Sequence, residues 1–314
     1  MSISNEFNLN IENQQIHLTE LHQYGVELWI KREDKIHLQI SGNKFRKLKY
    51  NVIEAQHQEK NTLLTFGGAY SNHILAVAAA GRLNTLRTIG VIRGDELAFN
   101  LDKVLKENQT LAKAKEFGME FEFVARETYK NKTSDKFVRE LENKYGDFYL
   151  IPEGGTNQLA IKGCEEILTE EDEKFDYICL ALGTGGTISG IINSTKDYQK
   201  VLGFPALKGD FLQKEVENFT NAKQNWKLYN DYHFGGYGKV KSELICFIND
   251  FKRETNVLLD PIYTGKMMFG VIDLIKKNKF PKGAKILTIH TGGIQGISGV
   301  NKKLRSKNLE EIQL

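Results

Sequence analysis

Proline and cysteine are scarce in this chain, with four prolines and three cysteines among 314 residues. Cys164, Cys179 and Cys246 have no CxxC spacing and cannot form an even-numbered disulfide framework, so they read as reduced, mostly buried thiols. Four scattered prolines leave no proline-rich linker, and neither a repeat nor a low-complexity tract interrupts the chain. Charge of one sign is also missing: 43 Lys and Arg against 40 Asp and Glu give +3. So small an excess predicts no nucleic-acid partner without a concentrated basic face. The densest basic run, Lys44, Arg46, Lys47 and Lys49, spreads around a helix instead of forming one stripe. Lys302, Lys303, Arg305 and Lys307 read as a solvated helix end. No apolar run reaches membrane-spanning length, and the opening MSISNEFNLN lacks the pattern of a targeting segment. The expectation is a cytoplasmic protein with no membrane partner.

What is present is ordinary globular composition, 40% hydrophobic and 26% charged, in a chain long enough for one large α/β unit or two lobes. Short runs rich in β-branched and aromatic residues predict strands at Val26–Ile30, Thr62–Phe66, Thr88–Ile92, Phe121–Val124 and Phe148–Ile151. The same signal recurs at Tyr177–Ala181, Val201–Leu207, Val257–Leu259 and Ile286–Ile289. Helical spacing predicts Lys44–Gln58, Ser71–Arg82, Thr110–Gly118, Ser134–Tyr145 and Gln158–Leu168. Further helices are predicted at Gly186–Asn193, Lys241–Glu254, Thr264–Lys276 and after Gly293. Such alternation means an α/β fold with parallel sheets covered by helices, because parallel strands need crossovers. Four predicted strand ends run into GGAYSNH, PEGGTN, LGTGGT and HTGG. Ligands of open α/β sheets bind at the carboxyl ends of strands, so these loops are expected to converge on one cleft.

Three segments carry chemistry. Gly183, Thr184, Gly185, Gly186 and Thr187 lie between a strand and a helix, where backbone N–H groups, a helix N-terminus and two hydroxyls can cradle a phosphate. A dinucleotide fingerprint would want Gly where Ile188 stands, and a Walker loop would want Lys-Ser or Lys-Thr after the glycines. A tight turn without a ligand is the other reading. Lys44 stands in the first turn of a helix after a Gly-Asn turn. Burial near other cations would lower its pKa and make it a reactive amine, whereas an isolated lysine usually lies at the surface. Ser71, Asn72 and His73 open an apolar helix, where Ser71 can cap the helix, meet a ligand, or do both, and His73 can be a satisfied helical histidine.

In combination, KRED, GNKFRKL, GGAYSNH, PEGG, GTGGT, GGYG, LDPIYTGK and HTGG occur in the order seen in one family. The chain resembles the pyridoxal-phosphate enzymes that include D-cysteine desulfhydrase and 1-aminocyclopropane-1-carboxylate deaminase, along almost its whole length. The resemblance implies a two-lobed fold type II enzyme with pyridoxal 5'-phosphate in the interlobe cleft. Residues 1–45 with 156–314 would form the large cofactor-binding domain and 46–155 the small one. Lys44 would hold the cofactor covalently, Asn72 would bond its phenolic oxygen, and Gly183, Thr184, Gly185, Gly186 and Thr187 would hold its phosphate. Ser71 would meet the substrate carboxylate. Tyr237 and Tyr263 would line the substrate side, Tyr263 close to the cofactor ring, and either phenol could protonate the leaving group.

The deaminase pattern has Glu after the tyrosine of DPVYEGK and Leu in HLGG, where this chain has Thr264 and Thr291. Both threonines resemble the desulfhydrase pattern, a carboxylate at 264 being the group that could keep the cofactor's ring nitrogen protonated. The expected activity is α,β-elimination on a small amino acid, D-cysteine giving pyruvate, ammonia and sulfide, in a homodimer. The alternatives are 1-aminocyclopropane-1-carboxylate deamination, a deaminase or racemase acting on D-serine or another D-amino acid, and a cofactor-binding protein without turnover. Two regions depart from the family pattern: GGYG runs into Lys239-Val240-Lys241 without a Pro-Asn turn, and the stretch Asn100–Leu111 looks shortened.

Overall fold

A computed structural model describes residues 7–209, 211–220 and 223–314. Its strands are β1 (Asn13–Ile16), β2 (Glu27–Lys31), β3 (Thr62–Gly68), β4 (Arg87–Arg93) and β5 (Glu120–Val124). They continue with β6 (Tyr149–Ile151), β7 (Tyr177–Leu182), β8 (Lys200–Pro205), β9 (Trp226–Leu228) and β10 (Lys285–Ile289). They form a six-stranded sheet, β1-β2-β10-β7-β8-β9, and a four-stranded sheet, β5-β4-β3-β6. Every pairing is parallel except β1 with β2. The last strand in sequence is central in space: Leu287 of β10 registers with Trp29 of β2 and with Ile178 of β7.

Helices cover both faces, so the inner strands are apolar throughout instead of alternating with polar residues. The pleat still sorts their side chains. In the larger sheet Cys179 and Ile286 pack with Met267 and Val271, while Ile178, Leu180 and Leu287 pack with Ile188 and Ile191 on the opposite face. In the smaller sheet Leu63 and Ile92 join the helix Asn72–Leu83, and Leu64, Phe66 and Val91 meet Phe137 and Leu141 behind it.

The expected α/β class is thus the observed one, and the helix expected at Thr264–Lys276 has those bounds. One predicted strand is absent. Val257 and Leu259 are fully buried, but the segment after the left-handed cap Asn256 fills core space without joining a sheet. Short β1 and β9 and the helices Arg126–Lys130 and Phe211–Glu217 were not assigned from the pattern, while the helical region read around Asn100–Leu111 holds the helix Leu101–Glu107. Cys164 and Cys179 are buried free thiols, whereas Cys246 is exposed. The helix Ile297–Arg305 ends in exposed Lys302, Lys303 and Arg305, as a solvated helix end should. Among the described residues no helix is long and apolar enough to cross a membrane.

Candidate active site

The loops after β3, β6, β7 and β10 meet at a cavity of about 870 Å³ between the two sheets. Its floor depends on one glycine. Gly42 has φ +60, and a Cβ there would lie 2.1 Å from the Thr291 carbonyl oxygen, so only glycine lets the chain pass against the loop after β10. That close passage starts the helix Asn43–His57 at the cavity wall. Lys44, in its first turn, is half-buried and lines the cavity, with Nζ 3.1 Å from Asn43 Oδ1. Burial, and then the neighbouring Lys47, bring its pKa down from 10.5 to about 7.

The KRED and GNKFRKL segments hold this helix from below. Glu33, wholly buried, receives both arms of Arg46 at 3.0 and 2.8 Å, Lys31 pairs with buried Asp172 at 2.7 Å, and Arg32 pairs with Asp34. The charges of KRED are therefore spent on framing the site, not on lining it.

The expected phosphate cradle lies where β7 gives way to the helix Gly186–Ser194. Gly185 caps that helix in the left-handed region, φ +81, and Gly183, Thr184, Gly185 and Thr187 line the cavity. Gly186 does not line it; its Cα faces Thr156 and the Lys47 ammonium. Lys47 Nζ donates to Thr184 Oγ1 (3.2 Å), Thr156 Oγ1 (3.0 Å) and the Gly154 carbonyl (2.9 Å), and Asn43 donates to Thr187 Oγ1 at 2.8 Å. Burial lowers Lys47 to about 8. Lys47, Asn43 and Thr156 were not singled out from the sequence. Spacing held the clue for Lys47, three residues after Lys44 and so on the same helix face.

At the third loop Ser71 accepts the Ile74 N–H at 3.4 Å, capping the helix, and also lines the cavity. Asn72 lines the cavity with its Oδ1 buried and without a hydrogen-bond partner among the described residues. His73 is buried against Thr65, Nε2 to Oγ1 2.9 Å, and burial with the nearby Lys44 and Lys47 holds it well below its usual pKa. Asn108, between the two helices of the region expected to be shortened, donates to the Ala69 carbonyl at 2.8 Å and braces this loop.

Tyr237 and Tyr263 both line the opposite wall, their rings edge to face with centroids 6.1 Å apart. Burial raises the Tyr263 phenol well above 10, whereas Tyr237 is 54% exposed and its phenol hydrogen-bonds with that of Tyr263. Thr291 lines the cavity, but Thr264 does not. The Thr264 hydroxyl donates to Asp260 Oδ1 (2.8 Å) and accepts from the Asp260 N–H (2.9 Å), and Asp260 caps the helix that follows. Thr264, wholly buried, thus braces the Asp260 carboxylate and does not line the cavity.

These features fit pyridoxal phosphate. A half-buried amine with lowered pKa faces the cavity, a left-handed glycine and two threonines could cradle an anion beside an ammonium, and the buried Asn72 Oδ1 has no hydrogen-bond partner among the described residues. Comparison with known proteins agrees. The family profile "Pyridoxal-phosphate dependent enzyme" matches residues 9–292. The bifunctional D-cysteine desulfhydrase/1-aminocyclopropane-1-carboxylate deaminase of Arabidopsis thaliana mitochondria is 33% identical, over 87% of this chain and 74% of its own. The D-cysteine desulfhydrase of Klebsiella pneumoniae is 28% identical, over 86% and 87%. A solved structure of a 1-aminocyclopropane-1-carboxylate deaminase homologue superposes with a TM-score of 0.81 at 29% identity, covering 96% of this chain and 95% of that one.

Proposed function

Because the chain belongs to the pyridoxal-phosphate dependent enzyme family, we propose that it removes the β-leaving group of a small D-amino acid, D-cysteine foremost. The observation that carries this reading is the sharing of one cavity by the Lys44 amine, the anion cradle and the paired phenols of Tyr237 and Tyr263. Bound pyridoxal phosphate supplies an electron sink for the electrons left on Cα. Lys44, close to half neutral at pH 7, takes the Cα proton as general base. Ser71 and the backbone N–H groups at the start of the helix Asn72–Leu83 hold the substrate carboxylate. Asn72 orients the cofactor's phenolic oxygen, and Thr184, Thr187 and Lys47 hold its phosphate. Tyr263, kept protonated by burial, or Tyr237, which lines the cavity from its exposed rim, gives its proton to the departing thiolate. D-cysteine and one water then become pyruvate, ammonia and hydrogen sulfide.

Ring opening of 1-aminocyclopropane-1-carboxylate is the second reading, favoured by the Arabidopsis relative whose name carries both activities. Against it stands Thr291 at the cavity, where the deaminase pattern has Leu. The proposal includes a division into 1–45 with 156–314 and 46–155, the cofactor lying between them, and a cytoplasmic homodimer, which sedimentation of the purified protein tests.

The test is a set of assays for sulfide, keto acid and ammonia with D-cysteine, L-cysteine, D-serine and 1-aminocyclopropane-1-carboxylate. Sulfide from D-cysteine alone is the expected result. 2-Oxobutyrate from the cyclopropane substrate with no sulfide from D-cysteine overturns the first reading in favour of the second, and bound cofactor with no product from any of the four overturns both.

A further inference from the structure

Lys266 is 1% exposed in the helix Thr264–Lys276; among the described residues it forms no ion pair, and the charge of Asp260 offsets only part of the cost of its burial. Its Nζ donates to two backbone carbonyls, His233 O at 2.8 Å and Gly236 O at 2.9 Å. Burying an ammonium is unfavourable unless its donors are well used. The neighbouring Met267 and Met268 are wholly buried, so an apolar side chain would suit this part of the helix better if packing alone were at stake. What the ammonium holds must explain it.

Those two carbonyls are the joints of the loop that carries Tyr237. The Gly236 N–H closes one turn on His233 O (3.0 Å), and the Lys239 N–H closes the next on Gly236 O (3.2 Å). Gly235, Gly236 and Gly238 all have positive φ and little conformational preference of their own, and Phe234 is held at φ 53, a region a bulky side chain disfavours. Tyr237 sits between the two turns. Tyr263 immediately precedes the helix that bears Lys266, three residues earlier. One ammonium thus ties the loop of the first phenol to the helix of the second, and their ring centroids are held 6.1 Å apart.

We propose that Lys266 is a positioning residue that fixes Tyr237 over Tyr263 by gripping the His233 and Gly236 carbonyls. Its consequence for turnover rests on the reading that this pair of phenols supplies the proton to the leaving group, so the test separates the two.

Lys266→Met keeps the length and removes the donors. In the cofactor-free protein, hydrogen exchange of residues 233–240 should rise while that of 264–276 stays as in the parent. In the loaded enzyme kcat should fall on the order of a hundredfold, the usual effect of a small misplacement, with KM little changed. Adding Lys266→Met to Tyr237→Phe should lower kcat no further. Unchanged exchange at 233–240, or a rise that spreads through 264–276, overturns the proposal. Local loosening with an unchanged kcat upholds Lys266 as the anchor and removes the proton-donor role from Tyr237. Should the methionine variant fail to fold, Lys266→Gln, which keeps an amide donor, should show intermediate exchange at 233–240; parental exchange there overturns the proposal equally.

Discussion

Lys44 and Lys47 stand three residues apart on one helix and face the same cavity, so the charge of one bears on the protonation of the other. Burial is the larger cause of the lowered Lys44 pKa, and Lys47 is the second. Covalent capture of pyridoxal phosphate by the cofactor-free protein should therefore accelerate with pH through a midpoint near 7. Lys47→Met removes a neighbouring positive charge, so the midpoint should move upward without reaching 10.5, the ordinary value. Capture rates across a pH series would show this, and an unmoved midpoint would remove Lys47 from the account.

The same shift sets a pH dependence of stability. Between about 7 and 10.5 the folded chain binds fewer protons at Lys44 than the unfolded chain does. Stability should thus rise with pH across that window relative to Lys44→Met. Melting temperatures of the two cofactor-free proteins, compared from pH 6.5 to pH 9.5 as experimental settings chosen to bracket about one protonation step, should diverge in favour of the parent as pH rises.

Lys44→Ala should lose the visible absorbance of lysine-bound cofactor and reduce turnover by at least about 10²- to 10⁴-fold, the contribution of a positioned base. Absorbance and sulfide release on one preparation suffice, and a coloured, active variant would dismiss Lys44.

Thr184 accepts from Lys47 and lies 2.6 Å from the Thr156 hydroxyl. Thr184→Val removes a hydroxyl from the cradle and leaves Lys47 with one partner fewer. Cofactor affinity, read by titration of the cofactor-free protein, should weaken roughly ten- to a hundredfold, the scale of a hydrogen bond to a charged group.

Glu33 and Arg46 form a bidentate buried pair beneath the Lys44 helix. Arg46→Met strands a carboxylate without its guanidinium and should destabilise the fold by about 3–5 kcal/mol. A lower urea midpoint with an unchanged slope would be the expected signature.

Much of this was legible in the sequence, for identifiable reasons. Inner strands such as β3 and β7 announce themselves because parallel strands covered on both faces are unbroken apolar runs. The same signal misled at Val257–Leu259, since a run of buried apolar residues says that a segment is inside but not that a strand edge is free to pair with it. β1 and β9, only four and three residues long, are too short to establish a period. Within the site, the glycine and hydroxyl loops were visible as motifs, whereas Thr156 joins the cradle only through the meeting of the loops after β6 and β7. Thr264 and Thr291 differ in exposure to the cavity, and Thr264 is held away from it by Asp260, a contact no spacing rule exposed.

The order of strands in the larger sheet also bears on how the molecule is made. The smaller sheet draws all its strands from one continuous stretch, Thr62 to Ile151, and can assemble while the ribosome is still adding residues. The larger sheet cannot, because β2, which precedes the whole smaller sheet in the chain, has β10 as its inner neighbour, and β10 begins at Lys285. Gly42 and Asn43 meet the Thr291 carbonyl only after that insertion. A nascent chain halted before the final strand therefore carries a finished small sheet and no floor for its cofactor.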